Sequence, residues 1–150
     1  MDTPRRMVDT RQPRFGQFLT GTVAAAAFVF RLPGLFVALA VILGLAALSP
    51  ATSPWRYLFL GFKRVAGLGP PKELEDAAPP RFANTLGFVF FTLASLLFYG
   101  LHAEGPAYGI GALVAVLGFL GAAGFCVGCE IYLWIARARG RPVAATVQRG

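Results

Sequence analysis

The chain has 150 residues, of which 56% are hydrophobic and only 14% charged, and its net charge is +7. Mean hydropathy is +0.62, whereas a soluble domain of this size carries about a quarter charged residues, so the composition points to an integral membrane protein. The lysines and arginines lie between apolar runs and at the chain ends, with no basic stretch interleaved with aromatics, which speaks against nucleic-acid binding.

In chain order, the first apolar stretch follows a segment containing Asp2 and Asp9 and closes on Phe30-Arg31-Leu32-Pro33. It has no small-residue cleavage site and is expected to stay as an uncleaved anchor. A span needs about 20 apolar residues to cross a bilayer. Residues 15–31 and 33–49 form a first, short pair of spans. They are joined at Arg31-Leu32-Pro33-Gly34, where proline cannot continue a helix and glycine supplies a permissive backbone. Ser49-Pro50-Ala51-Thr52-Ser53-Pro54 ends the second. Over residues 55–68, Trp55, Leu58, Phe59, Phe62, Val65 and Ala66 recur at helical spacing, with Arg56, Lys63 and Arg64 largely off that face. That pattern predicts a helix lying in the membrane interface. Residues 69–80 read as a polar, proline-rich connector in water. A third span covers 82–102, and His102-Ala103-Glu104-Gly105-Pro106 turns the chain. A fourth, 106–134, is longer than the hydrocarbon needs and is expected to tilt or to emerge as helix.

Four basic residues lie before the first span, five in the central loop from Ser49 to Arg81 and four in the tail 137–150, against Arg31 alone in the two opposite turns. The positive-inside rule then puts both termini and the central loop in the cytoplasm. The expected fold is a single all-α domain, residues 1–150: a four-helix integral membrane bundle of two hairpins, with an interfacial amphipathic helix between spans two and three.

Pro13-Arg14-Phe15-Gly16-Gln17 and Pro80-Arg81-Phe82-Ala83-Asn84 both open a span. A repeat of about 67 residues suggests two hairpins related by an axis along the membrane normal. Proline starts each helix, Arg14 and Arg81 engage lipid phosphate or a neighbouring carboxylate, and Phe15 and Phe82 anchor the interface. Two ordinary interfacial anchors would leave the same trace.

Cys126 and Cys129 are the only cysteines, set as Cys-Val-Gly-Cys at the end of an uncharged apolar run. Random placement puts two cysteines three apart roughly one time in a hundred, which favours a reactive or sulfur-handling pair over two small packing residues. In an unbroken helix the pair lies on adjoining faces, a poor geometry for a disulfide, although Gly124 and Gly128 permit distortion. Cys129, nearer the water, is the expected attacking thiol, and a reducing cytoplasm keeps both reduced at rest. Glu130 either takes a thiol proton or is an interfacial acid paired with Arg14, Arg81 or Arg137. Gly118, Gly121, Gly124 and Gly128 form a smooth stripe suited to close helix packing. Zinc needs four ligands, and the one histidine, His102, sits at the opposite face, so no metal or cofactor is expected within one chain; a metal held by Cys126 and Cys129 of two chains needs a dimer.

Taken with Asp9-x-Arg11-x-x-Arg14-Phe15, the Ser53-Pro54 break, Pro80-Arg81-Phe82-Ala83 and Phe125-Cys126-Val127-Gly128-Cys129, the chain resembles a bacterial family of small four-pass membrane proteins. That family carries only a domain-of-unknown-function label. The resemblance spans about residues 7 to 136 and implies an inner-membrane location. Thioredoxin-like or rhodanese-like proteins are often encoded beside members, which implies such a cytoplasmic partner besides the lipid bilayer. The family supplies no activity. The leading expectation is a membrane thiol partner in disulfide exchange or sulfur transfer; the alternative is a non-enzymatic scaffold or a small-solute transporter subunit. Whether the chain is an enzyme stays open.

Overall fold

A computed structural model describes residues 7–9, 11–49, 52–70, 73–76, 78–140 and 147–148. In chain order these form β1 (Met7–Asp9), α1 (Arg11–Val29), α2 (Gly34–Leu48), α3 (Pro54–Val65), β2 (Glu73–Asp76), α4 (Ala78–Tyr99), α5 (Glu104–Ala122), α6 (Val127–Ala138) and β3 (Val147–Gln148). The fold is dominated by six helices. Two of them, α4 and α5, are long and apolar enough to cross a bilayer, and α2 is a shorter apolar helix.

The helices begin where local chemistry allows. Pro13 lies in the first turn of α1, and Pro79 and Pro80 in that of α4. A missing N–H costs nothing there, because those donors have no intrahelical acceptor. Arg11 and Arg14 are therefore inside α1, which starts ahead of the apolar run. The first hairpin corrects one expectation: Arg31, with φ 54°, takes the left-handed conformation, and Gly34 simply begins α2. His102 makes the same bend in the second hairpin, also at φ 54°. Helix α3 stops three residues short of the expected end, because Gly67 adopts φ 65° and Leu68 N–H returns to Lys63 C=O at 3.0 Å.

Helix α1 packs along α5 and α2 along α4, so each hairpin is clasped by the other. Phe36 and Phe91 are fully buried between them with ring centres 6.2 Å apart, and Tyr108 closes edge-on to Phe36 at 5.5 Å. The short helices then fold back on the first helix of their own half, α3 on α1 and α6 on α4. Phe15 meets Phe59 at 5.6 Å and Phe82 meets Tyr132 at 5.7 Å. The repeating unit is thus three helices, and the two Pro-Arg-Phe segments hold equivalent places in it.

One further correction concerns the polar segments. The connector 69–80 is not simply a loop. It contributes β2, which pairs antiparallel with β1 (Val8 opposite Glu75) and with β3 of the tail (Leu74 opposite Val147), adding a three-stranded sheet to an otherwise helical fold. Connector residues 71–72 and 77, and tail residues 141–146 and 149–150, lie outside the described residues. At the foot of α1, Asp9 accepts from Arg11 N–H at 3.0 Å and from the Arg11 guanidinium at 2.9 and 3.1 Å, and it faces Lys63 of α3 at 3.8 Å. Burial pushes the Asp9 carboxyl up. The Arg11 side-chain and backbone donors, with the charges of Arg11 and Lys63, outweigh this and hold it below the usual carboxylate range.

Candidate functional site

The expected continuous helix over 106–134 does not form. Helix α5 ends at Ala122, and the chain breaks over Ala123-Gly124-Phe125-Cys126 before α6 starts at Val127. Gly124 has φ 114°, a conformation that a side chain would strain, and Phe125 N–H bonds back to Leu120 C=O at 2.9 Å. The break redirects the chain onto α4. Gly128 makes that approach possible, since a β-carbon there would lie 2.9 Å from Ala83 Cβ.

The break places the two cysteines differently from two positions on one helix. Cys126 is the N-cap of α6, in extended conformation at φ −86° and ψ 107°, while Cys129 lies in the first turn. Cys126 Sγ accepts from Cys129 N–H at 3.3 Å and from Gln17 Nε2 at 2.9 Å. Gln17 comes from α1, and its carboxamide lies over Gly121, where a β-carbon would overlap it. The approach of α1 and α5 is equally close one turn away: a β-carbon on Gly118 would stand 2.9 Å from both Gln17 O and Gly21 Cα. Of the glycine stripe, Gly118 and Gly121 thus serve helix packing, Gly124 makes the break, and Gly128 admits Ala83.

These contacts set the chemistry. The Cys126 thiol is held down at about 6, first by a hydrogen bond from the Cys129 thiol. Burial opposes the shift, and the backbone N–H groups of Cys129 and Gly128 and the Gln17 amide reinforce it. A sulfur at a helix start also faces the positive end of the peptide dipoles. No disulfide joins the pair. Cys126 is thus a half-buried sulfur that caps α6 and has N–H donors from Gln17 and Cys129 around it, while Cys129 lies in the first turn.

The remaining expected residues are distributed around this centre. Glu130 is exposed in the first turn of α6 and makes no ion pair with Arg14, Arg81 or Arg137 among the described residues; its backbone N–H bonds to Cys126 C=O at 3.0 Å. Arg14 holds its guanidinium against the break, 3.7 Å from where a Gly124 β-carbon would be. Arg81 bonds the last carbonyls of α2, Ala47 at 3.1 Å and Leu48 at 3.0 Å. Phe15 and Phe82 pack on α3 and α6. Gln17 was missed as a site residue. Its signal was a carboxamide inside the apolar run of α1, aligned in the repeat with Asn84. Among the described residues, no three of His, Cys, Asp and Glu gather as metal ligands.

The family DUF4395, a domain of unknown function, matches residues 8–137 and so includes both Pro-Arg-Phe segments and the dithiol. No curated protein and no solved structure matches the chain.

Proposed function

We infer that this chain, which belongs to the DUF4395 family, is a multi-pass inner-membrane protein whose Cys126–Cys129 pair exchanges disulfides or passes sulfur with a cytoplasmic thioredoxin-like or rhodanese-like protein. The observation that carries the reading is the position of Cys126 Sγ, capping α6 and receiving donors from Cys129 and Gln17. A packing cysteine needs no such donors, whereas a nucleophilic thiolate does.

In the exchange, the Cys126 thiolate attacks one sulfur of the partner's disulfide, forming a mixed disulfide and expelling the partner's other sulfur as thiolate. Cys129 then gives up its proton and attacks Cys126 Sγ. This closes the Cys126–Cys129 bond and releases the partner as a dithiol, two electrons having passed to it. In the sulfur-transfer form, Cys126 takes the outer sulfur of a partner persulfide, leaving a partner thiolate and a persulfide on Cys126.

The membrane reading rests on exposure. Only 17% of the apolar stretch of α4 and 33% of that of α5 are buried, too little for core helices of a soluble protein. Phe88, Val89, Leu93 and Leu96 on α4, with Leu113, Val116 and Leu120 on α5, form an uncovered apolar belt. We take α1, α2, α4 and α5 as four passes. At 1.5 Å per residue α2 is about 22 Å long, short for a full crossing. The basic residues favour cytoplasmic termini, which puts the dithiol at the cytoplasmic face in its reduced state.

Trapping in cells tests the exchange. Cys129→Ser removes the resolving thiol and accumulates a reductant-sensitive mixed disulfide, while Cys126→Ser accumulates none. Equal absence of adducts from both variants, with function intact in the double variant, would return the pair to packing and leave a scaffold or transporter subunit.

A further inference from the structure

The place in the first half that corresponds to the dithiol is a cavity of about 50 Å³ opening at the start of α3. A water needs about 10–15 Å³ on this measure, so the space takes a few waters or one tetrahedral oxyanion. Its polar lining is Gln12, Gln17, Ser53, Arg56, Arg81 and Asn84, and no carboxylate contributes.

Three features point to an anion. Ser53 is the N-cap of α3 and is 7% exposed, yet its hydroxyl makes no capping bond and has no other hydrogen-bond partner among the described residues. Ser53 lines the cavity, so a group held there can take up the hydroxyl that the fold leaves without a partner. Next, two arginines line the space. Arg81 uses Nε and Nη2 on the α2 carbonyls, which leaves further N–H groups of its planar fork. Finally, the twelve-residue helix α3 directs its first turn, from Ser53 to Arg56, at the cavity. A helix start favours negative charge.

We propose that this cavity binds a small tetrahedral oxyanion, a phosphate or sulfate group, through Ser53, Arg56 and Arg81, with Asn84 completing the donor set. The second half fills the equivalent position with its own Cys126 sulfur; the first half takes its anion from outside. The inference stands on the cavity and does not depend on thiol exchange, although Gln17 borders both sites.

The full chain in an uncharged maltoside detergent tests it. Trp55 lines the cavity, and Trp134→Phe leaves it the single tryptophan reporter. Titration with inorganic phosphate or sulfate at constant ionic strength, against chloride, gives a saturable change in Trp55 emission. Ser53→Ala and Arg56→Gln each weaken it about tenfold, the scale of one charge-assisted hydrogen bond. Arg64→Gln, an exposed charge on the same helix outside the cavity, leaves it unchanged. If the group belongs to a lipid headgroup, inorganic phosphate is silent and short-chain phosphatidylglycerol gives the same variant-sensitive response. A response to neither probe, or one that Arg64→Gln weakens as much as Arg56→Gln, overturns the site.

Discussion

The two halves of the molecule use one three-helix plan and differ at the start of the third helix. In the second half that start is Cys126-Val127-Gly128-Cys129, with Gln17 reaching across from α1. In the first it is Ser53-Pro54-Trp55-Arg56, with Asn84 of α4 in the matching position beside a cavity. The packing beneath is the same contact with the volumes exchanged. Trp55 lies against Gly16, 3.4 Å from where its β-carbon would be, whereas Gly128 lies against Ala83. Trp55 also donates to buried Thr20 at 3.0 Å, which fixes the first copy. The lesson is that the scaffold sets where a helix start is presented, and a few side chains decide whether a sulfur or an open cavity stands there.

The largest expected effect breaks the equivalence of the helix crossings. Gly118→Ala puts a β-carbon 2.9 Å from Gly21 Cα and Gln17 O, both backbone, so the helices must separate. The cost is about 3 kcal/mol, and Gln17 is drawn off Cys126 as well. At the matching crossing, Gly44→Ala meets the Phe88 ring at 3.0 Å. The ring can rotate and alanine favours helix, so the net change is about 1 kcal/mol or less. Thermal unfolding of both variants in detergent compares them; equal losses would show that the crossings are not distinguished by backbone contact.

Next in size is the thiol itself. With Cys126 near 6, its alkylation by iodoacetamide rises with pH to a plateau, with a midpoint near pH 6. Cys126→Ser loses the low-pH limb, and the rate at pH 5.5 falls about tenfold. The thiolate fraction falls further than that, but a thiol of higher pKa is intrinsically more nucleophilic. A midpoint in the ordinary range near 8.5 would remove the argument for Cys126 as attacker. Gln17→Leu takes away one donor and moves the midpoint upward by a smaller step, with about a threefold slower rate at pH 5.5. Because the thiol is depressed in the folded chain, its contribution to stability is complete above the ordinary thiol range and is lost as pH falls through about 6.

Much of this arrangement was legible in the residues. The apolar runs and their punctuation marked the helices, and Pro-Arg-Phe marked the repeat. What could not be seen follows from physical causes. The break before Cys126 lies in a run with no polar residue, and Gly124 looks like its neighbours Gly121 and Gly128 until its φ is known. Without the break, the two cysteines read as neighbouring positions on one helix; with it, Cys126 caps α6 and Cys129 lies in its first turn. Glu73-Leu74-Glu75-Asp76 has no strand composition, and its strand exists through pairing with distant residues. Ser53 read as part of a proline-bounded turn, and its burial is a tertiary property.

The smallest expected effect concerns the entrance to each half. Asp9 stands two residues ahead of Arg11, caps α1 and grips the Arg11 guanidinium, with Lys63 of α3 nearby. In the second half Asp76 stands two residues ahead of α4, and Ala78, with no guanidinium, takes the place of Arg11 in the sequence. Asp9→Asn keeps a capping oxygen and loses the charge, costing about 1 kcal/mol at neutral pH, the scale of a cap or an exposed ion pair. The Asp9 carboxyl is lower in the folded chain than in the unfolded one. Its contribution is therefore present above the ordinary carboxylate range and is lost as pH falls through the folded value. The melting temperatures of wild type and Asp9→Asn should differ at pH 7 and converge toward pH 3. A gap that stays the same at both pH values would mean that shape or hydrogen bonding, and not the carboxylate charge, joins the first strand to α1 and α3.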